Sequence, residues 1–127
     1  MDRRRTPRVF IKLRSHVIVN GHENWHDVGA TENISRTGVL CRLPAGTNLL
    51  ECLTLGQFVE TDIELPWEPG SPRRSLYCRG VVTWVSKDEN EEVLFGLALN
   101  QMEFRDLPHW CMPEPGKAAE SQLPVVM

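Results

Sequence analysis

Apolar and polar residues alternate along most of the chain. From Val9, the residues Val9, Ile11, Leu13, Val17 and Val19 fall on one side, and Lys12, Arg14 and His16 on the other. This period of two predicts a half-buried strand. Asn20-Gly21 interrupts it with two residues that tolerate positive φ, a hairpin signal, and Trp25 to Thr31 reads as the return strand. A polar turn, Asn33 to Gly38, leads into a third strand in which Val39, Cys41 and Leu43 alternate with Leu40 and Arg42 before Pro44-Ala45-Gly46 ends it. Residues 47–56 fit either a short helical turn or an irregular apolar loop. Phe58 to Leu65 then sets Val59, Thr61, Ile63 and Leu65 against Glu60, Asp62 and Glu64, a strand with one wet face.

After a loop with three prolines (Pro66, Pro69 and Pro72), Ser75 to Lys87 is a long β-rich run. Asp88-Glu89-Asn90-Glu91 is a charged hairpin turn, and Glu92 to Phe104 is the last strand, with Val93, Phe95, Leu97 and Leu99 inward. Trp84 and Phe95 lie inside alternating strands and are expected in the core. Beyond Phe104 the chain carries Pro108, Pro113, Pro115 and Pro124, which leaves room for one turn of helix near Asp106–Cys111. Six or seven short strands without a long helical period predict an antiparallel barrel or sandwich, and closing the sheet would remove its exposed edges.

Composition adds limits. A chain of 127 residues with 41% hydrophobic residues is one globular domain with short tails. No apolar run approaches the roughly 20 residues that span a bilayer, so no membrane insertion is expected. The three N-terminal arginines are not followed by the apolar stretch of a secretory leader. The four scattered cysteines, Cys41, Cys52, Cys78 and Cys111, are therefore read as reduced, mostly buried thiols of a cytoplasmic protein.

Charge changes the picture more. The net charge is −3, but the first 14 residues balance at +5 and the rest at −8. A basic head on an acidic body points to a local anion site. It argues against a nucleic-acid polymer, which needs positive charge spread over a face.

Two short stretches carry candidate chemistry. In Arg3-Arg4-Arg5-Thr6-Pro7-Arg8, each guanidinium offers a planar fork that donates in pairs to phosphate oxygens or to the O6/N7 edge of guanine. Arg4 and Arg8, three residues apart in between, can grip different parts of one ligand if the segment folds over it. In Asn33-x-Ser35-x-x-Gly38, Asn33 and Ser35 present hydrogen-bonding groups, and Gly38 admits a conformation otherwise strained or a close backbone approach. Taken singly, the first is ordinarily a solvated basic tail and the second an ordinary turn.

Their order, Arg-x-x-x-Arg, one hairpin, then Asn-x-Ser-x-x-Gly, closely resembles the PilZ domain family of small bacterial β-barrel receptors for cyclic di-GMP. Gly56 to Pro66 is similar to the family's middle acidic strand, and Arg79-Gly80-Val81-Val82 with Phe95-Gly96-Leu97-Ala98-Leu99 is similar to its last hairpin. The resemblance covers roughly residues 2–106. It implies an all-β fold: a six- to seven-stranded antiparallel β-barrel over 9–106, a mobile basic arm at 1–8, and a proline-rich tail at 107–127 with at most a short helix. Family members commonly continue into an amphipathic helix, of which this tail allows at most a short one.

The resemblance also assigns Arg4 and Arg8 to the ligand's phosphates and guanines, and Asn33, Ser35 and Gly38 to its other side. Arg3 occupies the position associated with binding one nucleotide or a stacked pair, and an arginine there is compatible with a pair. Arg5 and Arg36 join the candidates on charge alone. The implied function is a non-enzymatic receptor without further cofactor. Ligand binding would order the arm, and the signal would pass to a downstream protein partner. The alternative is an adaptor of the same fold acting by protein contact with weak or no nucleotide binding. His22, Glu23, His26 and Asp27 surround a hairpin without metal-ligand spacing, so no metal is expected. Cys78 and His109 form no recognisable nucleophile–base pair.

Overall fold

The structure, a computed structural model, describes residues 8–19, 22–108 and 111, together with the side chains of all of these except 22–25. Six strands form it: β1 (Arg14–Val19), β2 (His22–Ile34), β3 (Gly38–Leu43), β4 (Phe58–Glu64), β5 (Arg74–Lys87) and β6 (Val93–Asp106). They close into an antiparallel barrel in the order β1-β2-β3-β6-β5-β4, with β4 returning to β1 through Val19↔Val59 and Ser15↔Ile63. Closure gives each of the six strands a neighbour on both sides, which removes the edges an open sheet would have.

The inward residues of the alternating runs make the core. Val17, Val19, Val39, Cys41, Leu43, Val59, Ile63, Val82, Val93, Phe95 and Leu97 are all buried. Residues 47–56 are turns, with one helical hydrogen bond from Leu53 N to Leu49 O at 3.0 Å. Leu49 and Leu53 are buried with the core cluster, so this loop plugs the barrel end at which β3 stops and β4 begins. Polar residues also face inward, Ser15 and Thr61 among them. The Ser15 and Thr61 hydroxyls bond each other, so neither is left unsatisfied.

Three expectations need correction. The first strand begins at Arg14, not at Val9. Ahead of it, Thr31 at the end of β2 holds the chain by three bonds: Thr31 N to Leu13 O, Leu13 N to Thr31 Oγ1, and Thr31 Oγ1 to Ile11 O. Val9, Phe10 and Ile11 are left exposed. Second, Trp84 is not in the core. A bulge between Val82 and Trp84 inserts one residue into β5, so Val82 and Val85 face in, opposite Leu97 and Phe95, and Trp84 faces out. Phe95 is fully buried, as the alternation predicts.

Third, the acidic face of β4 is not wet. Asp62 is buried on the outer face of the barrel, where it accepts bonds from Arg105 and Ser75. Beside it, the His16 ring pairs with Glu64, which also receives Arg73 Nη2 at 3.0 Å. Leu107 N donates to Arg73 O, and the buried Cys111 thiol sits among the charges of Asp62, Glu64 and Arg105. Burial, reinforced by the two carboxylates, pushes that thiol up to about 12. Cys111 N donates to Pro108 O. There is no α-helix among the described residues.

Burial pushes the Glu64 carboxyl up, but the hydrogen bond and charge of His16, helped by Arg73, outweigh it and hold the group below its ordinary 4.5. A depressed carboxylate stabilises the fold above its unfolded pKa, and that contribution is lost as pH falls through the folded value. Glu64→Gln is therefore expected to cost on the order of 1–2 kcal/mol near neutral pH. The gap to the wild type should close well below pH 4.5; urea midpoints at several pH values check this.

Candidate functional site

The polar turn is built from its own backbone. Asn33 and Ile34 end β2, Ser35 to Thr37 turn, and Gly38 opens β3. Ser35 N donates to Gly38 O at 2.8 Å, and Ser35 Oγ accepts from Gly38 N at 3.1 Å and Thr37 N at 3.3 Å. Ser35 is buried; its hydroxyl is used to shape the turn. Leu99 N donates to Thr37 O at 2.9 Å and ties the turn to β6. Gly38 does not have the positive φ that would demand glycine. The need is one of space: a Cβ there would lie 3.1 Å from Leu97 O on β6.

Ser35→Ala removes these side-chain bonds without removing bulk. It is expected to destabilise the protein by about 1 kcal/mol in the absence of any ligand, measurable as a lowered urea midpoint. A residue that served only a ligand would leave that midpoint unchanged.

A bulge between Thr31 and Asn33 separates two neighbouring polar residues. Thr31 pairs with Cys41 and faces the interior, while Asn33 pairs with Leu40 and faces out. On the outer face Asn33 meets the N-terminal segment. Val9 and Ile34 exchange both backbone hydrogen bonds, at 2.8 and 2.9 Å. This bridge delivers Arg8, whose Nη1 donates to Asn33 Oδ1 at 3.2 Å. The two motifs, 25 residues apart in sequence, therefore touch. Arg36 is exposed in the turn. Arg3, Arg4 and Arg5, and with them all of the expected arm except Arg8, lie outside the described residues, as does the tail beyond Pro108 except Cys111.

A sequence model of the PilZ domain matches residues 2–109. The chain belongs to the PilZ family. Among solved structures, it is similar to the inhibitor of motility MotI/DgrA of Bacillus subtilis, with 20% identity and a TM-score of 0.62 over 81% of this chain. The likeness is one of fold, and this chain spans only 45% of that one. A search of curated proteins gives no match. PilZ domains form a family of cyclic di-GMP receptors and adaptors, not a family of enzymes. Among the described residues, no helix is long and apolar enough to cross a membrane, and no three metal-ligating side chains converge.

The PilZ barrel surface beside Asn33 and Gly38 is apolar. Across β3, β6, β5 and β4 the register sets Gly38, Ala98, Val81 and Phe58 side by side; one step along, Asn33, Leu40, Gly96 and Trp84 form a parallel row. Arg79 flanks this face, its guanidinium 5.0 Å from the centre of the Phe58 ring and its buried Nε without a hydrogen-bond partner. Sequence reasoning assigned none of Arg79, Leu40, Gly96 or Trp84 to this face. One usable signal was Gly96, because glycine inside a strand often marks close approach of another group. The buried thiols of Cys41 and Cys78, both pushed up to about 12 chiefly by burial, stay protonated and belong to packing.

Proposed function

We propose that this PilZ domain binds cyclic di-GMP between the N-terminal arginines and the β2–β3 turn, and passes the signal on by protein contact. The observation that carries this reading is the hydrogen bond from Arg8 to Asn33, because it joins the two motifs at one place. A guanidinium held there is ready to exchange a neutral amide partner for a phosphate, with which it forms stronger, charge-assisted bonds. Arg4 is the second phosphate or guanine ligand, with Arg3, Arg5 and Arg36 adding positive charge. Asn33 lines the opposite side, and Ser35 and Gly38 hold the turn so that backbone can approach the nucleotide.

The residues that follow Arg8 favour a relay through protein contact. Val9 is 56% and Phe10 76% exposed, so a change in the position of the arginines is felt at once by an apolar surface. Such a receptor works in the cytoplasm, with its thiols reduced and no further cofactor.

Calorimetric titration of the full chain with cyclic di-GMP tests the reading, with a single-stranded oligonucleotide as control. Saturable heat with the dinucleotide and none with the oligonucleotide is expected. Absence of heat with the dinucleotide would overturn this reading in favour of a nucleotide-independent adaptor.

A further inference from the structure

The barrel covers β6 on both sides along only part of its length. β3 runs beside it from Leu43↔Val93 to Gly38↔Ala98, and the last bond across that seam is Leu99 N to Thr37 O at 2.9 Å. Past the bulge that follows, Gln101 to Asp106 pair with Arg79 to Arg74 of β5. Among the described residues nothing pairs with their other side. The second half of β6 is therefore a free strand edge.

One bond fixes which backbone groups this edge presents. Leu107 N donates to Arg73 O, toward β5. Backbone direction alternates along a strand, so Gln101, Glu103 and Arg105 also turn their N–H and C=O groups toward β5, while Met102, Phe104 and Asp106 turn theirs off the edge. The side chains divide in the same way. Phe104 pairs with Leu76 and Met102 with Cys78, and both partners belong to the core. Phe104 thus lies on the inner side of the sheet, yet it is 66% exposed, because β6 has there run past the end of β3. Glu103 and Arg105 lie on the outer side.

We propose that this edge pairs with the same edge of a second copy of the chain, antiparallel about a two-fold axis at Phe104. A two-fold pairing that joins outward groups to outward groups has three registers here, centred on Glu103, Phe104 or Arg105. The first sets Glu103 against its own copy and the third sets Arg105 against its own copy, like charges directly opposite. Centring on Phe104 instead sets each Glu103 opposite Arg105 of the second copy. It also gives Met102, Phe104 and Asp106 about six backbone hydrogen bonds across the axis and lays the two Phe104 rings side by side, out of water. Arg105 holds Asp62 through Nε and Nη2. Its Nη1 lies outside those bonds and its side chain is 38% exposed, so it can accept a second carboxylate as partner.

Sedimentation equilibrium of the full chain over a rising concentration series, without nucleotide, tests this independently of the cyclic di-GMP reading. The wild-type mass is expected to rise from 14.5 kDa toward twice that value. Phe104→Pro removes an N–H that does not serve β5, so it should still fold, as a thermal melt checks, yet stay at 14.5 kDa. Glu103→Lys, at an exposed position, should weaken association by about tenfold, since both cross-axis attractions become repulsions. Under mild oxidation Phe104→Cys should crosslink two copies, because directly opposite Cα atoms lie about 5.5 Å apart, within disulfide reach; Glu103→Cys and the wild type should not. A wild type that stays monomeric at every concentration overturns the proposal and leaves the edge to a strand of another protein. Undiminished dimers in Phe104→Pro overturn the choice of edge, and crosslinking of Glu103→Cys in place of Phe104→Cys overturns the register. Should Phe104→Pro fail to fold, Glu103→Lys and the two crosslinking variants decide.

Discussion

Arg8→Ala is expected to weaken cyclic di-GMP binding by about 100-fold while leaving the barrel intact. A guanidinium gripping a phosphate makes two charge-assisted bonds, each worth roughly 1.5–3 kcal/mol. Losing about 3 kcal/mol multiplies the dissociation constant by roughly two orders of magnitude. The fold has little to lose. Arg8 is exposed, and among the described residues its side chain's bond to the barrel is the one to Asn33. The melting temperature of the unliganded protein should therefore hardly move. Arg8→Lys keeps the charge but not the fork, so it should recover only part of the affinity. Calorimetry and thermal melting on the same samples check both halves, and wild-type affinity in the alanine variant would remove Arg8 from the site.

The largest effect on stability is expected at the opposite kind of position, the buried ion pair under the acidic strand. Asp62 is 1% exposed. It accepts Arg105 Nε at 2.9 Å, Arg105 Nη2 at 2.6 Å and Ser75 Oγ at 2.8 Å. Arg105→Ala leaves that carboxylate buried with Ser75 alone, and it removes the guanidinium stacked 4.3 Å from the Tyr77 ring. Stranding a buried charge costs about 3–5 kcal/mol, and the 38% exposure of the arginine side chain favours the lower end. A domain of this size should melt about 10 °C lower. Replacing both partners with apolar residues, as in Asp62→Leu with Arg105→Met, avoids the stranded charge and should melt nearer the wild type. A double variant as unstable as Arg105→Ala would show that packing, not charge, dominates there.

The Arg105 prediction concerns a cluster whose members come from distant parts of the chain. His16, Asp62, Glu64, Arg73, Ser75 and Arg105 belong to β1, β4, β5, β6 and the loop before β5. Read alone, Glu60, Asp62 and Glu64 are three acids on alternate positions, the ordinary appearance of a solvated face. Nothing local distinguishes that from an ion network beneath Cys111. The Arg8–Asn33 contact differs in this respect. Its residues were legible as motifs, because spacing and residue type coincide in both; their direct contact needed the Val9–Ile34 bridge.

The alternation of apolar residues determined the all-β class and the inward set from Val17 to Leu97, because on a pleated strand a period of two leaves only one face to bury. The two motifs determined where to look for chemistry. Tertiary structure decided the closure of the sheet, which requires β4 to meet β1 across a long stretch of chain. It also decided the facing of Asn33 and Trp84. One extra residue in a bulge reverses the parity of a strand, and that residue has no signature in the hydrophobic pattern. Finally, it decided that the outer face at Asp62 is buried, since a pattern of polar positions states what a surface is made of and not what comes to lie on top of it.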